Sequence, residues 1–144
     1  MAEAAFRDVS GEISQGSGSG RVLIDSAGTG NWHIGKQPDP RAQAETLRHG
    51  IDISGYRARQ VNQHDFTRFT HIMALDSENL SNLHALAPVG TTAHLSLLLD
   101  HVDGMAGQSV ADPYFGADDG FAQTWQQVSL AAKALAAQFV QARN

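Results

Sequence analysis

Short apolar runs separated by longer mixed segments are the main pattern along this chain. Residues 22–24, 71–75 and 93–99 are largely apolar runs of strand length, and they predict buried β-strands. In the last quarter of the chain, apolar residues recur at spacings of four and three, which predicts a long C-terminal helix with one apolar face. The residues of that face are Phe121, Trp125, Val128, Ala132, Leu135 and Phe139.

The segments between these runs carry helix and loop signals. Residues 1–9 are helix-forming and contain no breaker, which predicts a helix, whereas the Gly/Ser-rich residues 11–20 predict a flexible loop. A helix from Pro40 to His49 is predicted because Asp39 before it is a good N-cap and Gly50 after it suits the C-terminal end.

Two further helices are predicted between residues 62 and 85. Asn62 together with Asp65 is typical of a capped short helix, which we expect to end near residue 69. Asp76 or Ser77 is expected to cap the next helix, which extends to about residue 85.

Strands that alternate with helices indicate an α/β fold, in which a mostly parallel sheet is flanked by helices on both faces. With 144 residues and 42% hydrophobic content, the chain suits a single domain, 1–144. Ligands of such sheets bind beyond the carboxyl ends of the strands. Ser26, Asp76 and the loop after Leu99 lie at such ends, and that loop leads to Asp112.

The composition argues against several classes of function. The formal net charge of −5 argues against nucleic acid or an anionic membrane as a partner. No apolar run is long enough to span a bilayer and the start is not signal-like, so a cytoplasmic location is the default expectation. The seven histidines show no spacing typical of a helical metal site, and neither a metal nor a cofactor is expected.

The motif with the most chemical content is Asp112-Pro113-Tyr114-Phe115-Gly116. Proline fixes φ and glycine lets the chain turn back, a combination that suits a mobile loop holding a carboxylic acid beside two aromatic rings. A carboxylic acid so placed can protonate a leaving oxygen. That chemistry needs a nucleophile as its partner, and the sequence contains no cysteine, which would be the obvious candidate.

Several separated motifs resemble those of the low-molecular-weight protein tyrosine phosphatases. The acid-loop motif is one of them, and the others occur in the family's order along the chain. They are Asp25-Ser26-Ala27-Gly28-Thr29, Trp32-His33-Ile34-Gly35, Pro38-Asp39-Pro40-Arg41, His49-Gly50-Ile51-Asp52-Ile53-Ser54, Arg57-Ala58-Arg59-Gln60-Val61, Met73-Ala74-Leu75-Asp76 and Asn79-Leu80. The resemblance extends from Met1 to the C-terminus.

This resemblance implies hydrolysis of phosphotyrosine monoesters through a phosphocysteine intermediate, without metal or cofactor. In that chemistry a thiolate attacks phosphorus, an arginine and loop amides hold the phosphate oxygens, and an aspartate protonates the departing phenolate. The implied partner is a phosphotyrosine-containing protein or a small aryl phosphate.

Six residues take site roles by the same resemblance. They are Asp112 as general acid, Trp32, His33, Tyr114 and Phe115 as substrate-binding residues, and Ser26 as the hydroxyl that supports the phosphate loop. The chain departs from the family's pattern at Tyr56, which stands where the support network of that serine usually includes a histidine.

The resemblance begins after the family's first strand and its phosphate loop, so the nucleophilic cysteine, the phosphate-binding arginine and that strand are missing from the chain as given. Two explanations stay open: Met1 is an internal methionine taken as the start, or the truncation is natural and gives a non-catalytic relative. We expect the chain as given to be inactive. The alternative function is a non-catalytic interaction domain that uses the cleft of Trp32, Tyr114 and Phe115. An arsenate reductase of the same fold also requires cysteines and is the weaker alternative.

The missing strand is expected to affect the sheet. By resemblance it lies between the strands at 22–26 and 71–75, and without it both expose backbone N–H and C=O groups. Unpaired buried groups cost about 1–3 kcal/mol each, against a total domain stability of ~5–15 kcal/mol. The chain can recover by direct pairing of those two strands or by pairing their edges with another copy, and we expect association into a homo-oligomer through the exposed sheet region.

Overall fold

The computed structural model describes residues 1–17, 23–30, 33–110 and 119–143. Its helices and strands, in chain order, are α1 (Ala2–Ser17), α2 (Pro40–Arg48), α3 (Asp65–Arg68), β1 (His71–Ala74), α4 (Ser77–Leu86), β2 (His94–Leu97), a 3₁₀ turn (Leu98–His101) and α5 (Asp119–Arg143). In this described part of the chain, no helix is long and apolar enough to cross a membrane.

The sheet formed by the described residues has two parallel strands. His71 lies opposite His94 and Ala74 lies opposite Leu97, and α4 connects the two strands. A strand, a crossover helix and a parallel strand confirm the predicted α/β class, although the sheet is smaller than expected.

The strand predicted at residues 22–24 is not formed where the structure describes it. Residues 23–27 have no regular secondary structure, and Gly28 makes an isolated parallel bridge to Gln60. Residue 22 lies outside the described residues. A strand is stabilised by the ladder bonds to its neighbour, and this segment pairs with neither strand of the described sheet. Direct pairing of this segment with β1, one of the two routes considered above, is not formed by the described residues.

The N-terminal helix is longer than the sequence predicts. It continues to Ser17, so the predicted loop from residue 11 is wrong over residues 11–17, and residues 18–20 lie outside the described part. Each glycine inside a helix costs ~1 kcal/mol relative to alanine. The helix is anchored by packing against α5, where Ala4, Ala5 and Phe6 are buried, and tertiary packing of this kind outweighs local propensity.

The predicted helix caps are confirmed by hydrogen bonds. The Asp39 carboxylate accepts from the Arg41 N–H at 2.8 Å at the start of α2. The Asp76 carboxylate accepts from the Asn79 N–H at 2.7 Å at the start of α4, so Asp76 is a capping residue. Gly50 has a φ of +79°, in the left-handed region that a residue after a helix end often adopts.

The predicted strand at 93–99 is shorter than expected, because it ends at Leu97 and gives way to the 3₁₀ turn. The Asp100 carboxylate accepts from the Leu97 N–H at 3.0 Å, and this bond stabilises the turn that replaces the end of the strand.

Two apolar clusters lie on opposite faces of β1. The main cluster joins α1, α5 and the 3₁₀ turn, and Met73 packs against it. The second cluster contains Ala74 with α3, α4 and β2, and Ile72 packs against it. Five predicted residues of the apolar face of α5 are buried: Phe121, Trp125, Val128, Ala132 and Leu135. The side chain of Phe139 lies outside the described part.

Candidate functional site

The segment from residue 23 to residue 30 carries Ser26, and backbone bonds fix its C-terminal end. The Gly28 N–H donates to the Arg59 carbonyl at 2.9 Å, and the Val61 N–H donates to the Gly28 carbonyl at 2.8 Å. The Gln60 side-chain amide adds a bond to the Thr29 carbonyl at 3.2 Å. The segment is thereby held against the chain that leads into α3.

Arg59 clamps the same segment to α3. Its Nε donates to Asp25 Oδ2 at 3.1 Å, and its two terminal nitrogens donate to the two Asp65 oxygens at 3.0 Å and 3.1 Å. Burial raises the pKa of Asp65, but hydrogen bonds from Arg59 and from the Asn62 N–H outweigh it and hold that pKa below its usual range. The hydrogen bond to Asp65 in turn raises the pKa of Arg59. Both groups are therefore charged at neutral pH and form a bidentate pair.

Ser26 is tied to the first turn of α1. Its hydroxyl donates to Glu3 Oε1 at 2.6 Å, and Arg7 Nε donates to the other Glu3 oxygen at 2.8 Å. Arg7 also donates to the Ile24 carbonyl at 2.7 Å, which holds the segment beside α1. Burial, with help from the Glu3 carboxylate, raises the pKa of Tyr56. The partner of the Ser26 hydroxyl is therefore the Glu3 carboxylate.

The other end of the segment reaches the first turn of α4. The Thr29 hydroxyl donates to Asn79 Oδ1 at 3.1 Å, and Asn79 lies one turn from the Asp76 cap at the carboxyl end of β1. A hydroxyl and an amide are thus brought together near the carboxyl end of β1.

Two cavities adjoin this segment. The larger, about 680 Å³, is lined by residues of α1, residues 23–29 and β1, and the smaller, about 370 Å³, shares residues 26–29 with it. The lining of the smaller cavity consists of Ser26, Ala27, Gly28, Thr29, Gly30, His33, Ile34, Ala58, Arg59 and Asn79. The lining is polar, but the Ser26 hydroxyl donates to Glu3, and the Arg59 guanidinium is paired with Asp25 and Asp65.

The structure describes two of the six predicted site residues and brings both to the smaller cavity. These are Ser26 and the exposed His33. The other four, Trp32, Asp112, Tyr114 and Phe115, lie outside the described residues. In the described part, no group of three or more acidic, histidine or cysteine side chains is arranged to hold a metal ion.

Sequence reasoning missed three residues that organise this site: Glu3, Arg59 and Asn79. The Arg57-Ala58-Arg59 stretch is recognisable as a motif, but its pattern does not show which carboxylate pairs with the second arginine. Asn79, three residues after the capping Asp76, is the one whose position could have been found from the sequence, since a cap contacts the backbone three residues later.

Comparison with known proteins gives consistent results. The family model described as "Low molecular weight phosphotyrosine protein phosphatase" matches residues 1–144. The "Low molecular weight protein-tyrosine-phosphatase YfkJ" of Bacillus subtilis is 40% identical over 115 residues, which cover 80% of this chain and 72% of that protein. The Schizosaccharomyces pombe phosphatase is 37% identical over 129 residues, covering 89% of this chain and 80% of that protein.

A solved structure supports the same conclusion. The crystal structure of YfkJ from Bacillus subtilis has a TM-score of 0.86 and 34% identity, and the match covers 99% of this chain and 87% of that one.

Proposed function

We propose that this chain, which belongs to the low molecular weight phosphotyrosine protein phosphatase family, shares the substrate class of that family: a phosphotyrosine side chain or a small aryl phosphate. The similarity over residues 1–144 carries the proposal. The smaller cavity is where the two predicted site residues that the structure describes, Ser26 and His33, lie together.

We also propose that the chain as given does not hydrolyse these esters by itself. The sequence contains no cysteine, so no thiolate is present to attack phosphorus. Ser26 is a poor substitute, since its hydroxyl is bonded to Glu3 and the Glu3 carboxylate is already paired with Arg7.

The roles of the other predicted residues follow from the family and remain proposals. Asp112 would donate a proton to the leaving oxygen, and the aromatic rings of Trp32, Tyr114 and Phe115 would flank the substrate ring. Without a nucleophile the acid has no reaction to assist, but the aromatic cleft could still bind a phosphotyrosine.

A non-catalytic interaction domain is therefore the second candidate function, and the absence of cysteine is the observation that favours it. In this role the domain would bind a phosphotyrosine-bearing partner and leave it intact. Binding and turnover are separate measurements, so the two candidates can be distinguished.

The test is the turnover of p-nitrophenyl phosphate by the purified chain, with Asp112→Asn measured beside it. We expect both proteins to release no more nitrophenol than buffer. Robust turnover that Asp112→Asn abolishes would contradict the proposed inactivity and would indicate an unrecognised nucleophile.

Calorimetric titration with a phosphotyrosine peptide, compared with the unphosphorylated peptide, tests the interaction function. Binding that is lost in Trp32→Ala supports it, and the absence of phosphate-dependent binding contradicts it.

Three further expectations remain proposals. Self-association through the sheet region is checked by sedimentation at micromolar concentration, where a single monomeric species would contradict it. The single domain 1–144 should unfold in one cooperative transition, and two separate transitions would contradict it. Cell fractionation tests the expected cytoplasmic location.

A further inference from the structure

Two histidine rings lie side by side across the paired edge of the sheet. His71 is the first residue of β1 and His94 is the first residue of β2, and the parallel register places them directly opposite each other. Their ring centres are 5.4 Å apart, and their planes are tilted by 33°. We call these two residues the histidine pair. The pair joins the two strands that are hydrogen-bonded to each other, so it does not depend on what lies beside the other edge of β1.

The separation of the two rings matches that of two imidazoles bound to one tetrahedral ion. A Zn–N bond of about 2.0–2.1 Å places the centre of each ring about 3.2 Å from the metal. Two rings held at the tetrahedral angle then have centres about 5.2 Å apart, close to the 5.4 Å observed. Rotation of the rings can therefore bring one nitrogen of each to a common ion while the strands stay paired.

A hydrogen bond orients the ring of His71. Its Nδ1 lies 3.0 Å from the hydroxyl oxygen of Thr70. When Nδ1–H donates to that hydroxyl, Nε2 carries the lone pair that a metal requires. Histidines that bind metals almost always hold their other ring nitrogen in such a bond, which fixes the tautomer and the orientation of the ring. Thr70 therefore selects Nε2 of His71 as the nitrogen that binds the ion.

The surroundings of His71 favour the neutral imidazole. Burial lowers the pKa of His71, and the nearby His94 and His101 lower it further. His101 lies on the same face of the sheet, because its Nε2 is 2.9 Å from the hydroxyl of Ser96, two residues after His94. A metal ion binds the neutral ring, so this environment reduces competition from the proton near neutral pH.

We propose that the histidine pair binds a divalent transition-metal ion, for which Zn²⁺ is the best geometric match. Imidazole nitrogens suit zinc, copper and nickel, whereas magnesium and calcium take oxygen ligands. The square-planar geometry of copper(II) or nickel(II) would bring two neighbouring rings to about 4.5 Å, further from the observed separation.

The site has two protein ligands. The described residues provide no group of three acidic, histidine or cysteine side chains for one ion. Water would therefore fill the other two positions of a tetrahedral zinc, and the affinity should be lower than that of a structural site with four protein ligands. The bound ion would join the starts of β1 and β2.

The probe is ZnCl₂, which is titrated into the unmodified chain. In NMR spectra, the ring C–H signals of His71 and His94 should shift together and saturate at one Zn²⁺ per chain. The ring signals of the exposed His64 and His84 should stay unchanged. Calorimetric titration measures the affinity and the stoichiometry in parallel.

A matched pair of variants locates the site. His94 on β2 and His84 on α4 are both exposed, so neither substitution disturbs the core. His94→Gln should weaken Zn²⁺ binding by about tenfold or more, because loss of even an outer-shell partner of a metal ligand costs about 10–100-fold. His84→Gln should leave the affinity unchanged.

Three results would overturn the proposal. The first is the absence of saturable Zn²⁺ binding. The second is binding that shifts the other histidine rings as much as the pair, or that His84→Gln weakens as much as His94→Gln, because the ion would then be held by surface histidines in general. The third is a zinc-dependent dimer in sedimentation, because the ion would then bridge two copies of the chain. The NMR titration uses the unmodified protein, so it decides the matter even if a variant fails to fold.

Discussion

The substitution Arg59→Ala should destabilise the fold by removing the clamp between residues 23–30 and α3. The Asp65 side chain is 7% exposed and would lose both bonds from Arg59, keeping the one from the Asn62 N–H. Asp25, whose side chain is 35% exposed, would lose its ion pair with Arg59, which contributes less to stability because water screens it.

The expected loss of stability depends on how exposed the Arg59–Asp65 ion pair is. Removing one partner of a fully buried ion pair costs about 3–5 kcal/mol, and a single hydrogen bond to a charged group contributes about 1.5–3 kcal/mol. The Arg59 side chain is 31% exposed, so water partly screens the pair and can enter the space that the truncated side chain leaves. We expect a loss of about 2–3 kcal/mol in the free energy of unfolding at pH 7.

Urea denaturation followed by circular dichroism measures this loss, with Arg57→Ala as the control. Arg57 is an exposed arginine that donates to the carbonyls of Ser54 and Tyr56, so its removal should change the free energy of unfolding by no more than about 0.5 kcal/mol. Equal losses for the two variants, or a loss of less than about 0.5 kcal/mol for Arg59→Ala, would refute the proposed clamp.

The pH dependence provides an independent check. The pKa of Asp65 is lowered in the folded protein, so the stabilisation is fully present above the unfolded pKa of about 3.9 and is lost as the pH falls through the folded value. In Arg59→Ala, the burial of Asp65 would favour the protonated carboxyl, so protonation would stabilise the variant. The difference in the free energy of unfolding between the unmodified protein and Arg59→Ala should therefore be largest near pH 7 and should decrease below about pH 4. A difference that persists unchanged at low pH would contradict this reasoning.

Three further substitutions test the packing and the caps, each by urea denaturation. Leu135 on α5 is 1% exposed, so Leu135→Ala should lower the free energy of unfolding by about 2–5 kcal/mol. Leu130 on the same helix is 51% exposed, so Leu130→Ala should lower it by about 0.5 kcal/mol or less. Similar losses for the two variants would contradict the packing of α5. Asp76→Ala should cost about 1 kcal/mol because the Asn79 N–H loses its cap, and Asp76→Asn should restore most of it. Gly50→Ala should cost about 1–2 kcal/mol because its φ is +79°, and an unchanged stability would show that the left-handed turn is not required.

The elements with strong local signals were predictable from the sequence. The caps of α2 and α4 and the apolar face of α5 depend on residues close to one another along the chain, and the structure confirms them. The predicted strand, over its described residues 23–24, and the predicted loop, over residues 11–17, were wrong because both depend on distant partners. The first has no strand beside it in the described sheet, and the second is helical as part of a helix anchored on α5.

The candidate site was predictable only in part, for the same reason. The motif around Ser26 predicts a site role for it, but its bond to Glu3 joins residues 23 positions apart and no local pattern indicates that bond. The Arg59 clamp likewise joins Asp25 and Asp65, which no spacing in the sequence connects. The resemblance supplied the family, and the structure supplied the contacts that hold residues 23–30 in place.

The most direct test of the phosphatase interpretation supplies this chain with the family's nucleophile. A protein in which the family's first strand and its Cys/Arg phosphate loop precede Met1 should hydrolyse p-nitrophenyl phosphate with Asp112 as the acid. In that protein, Asp112→Ala should lower kcat by about 10²–10⁴-fold and change KM far less, because general acid catalysis acts on the transition state. A loss of kcat below ~threefold would contradict the assignment of Asp112 and with it the proposed catalytic role of its loop.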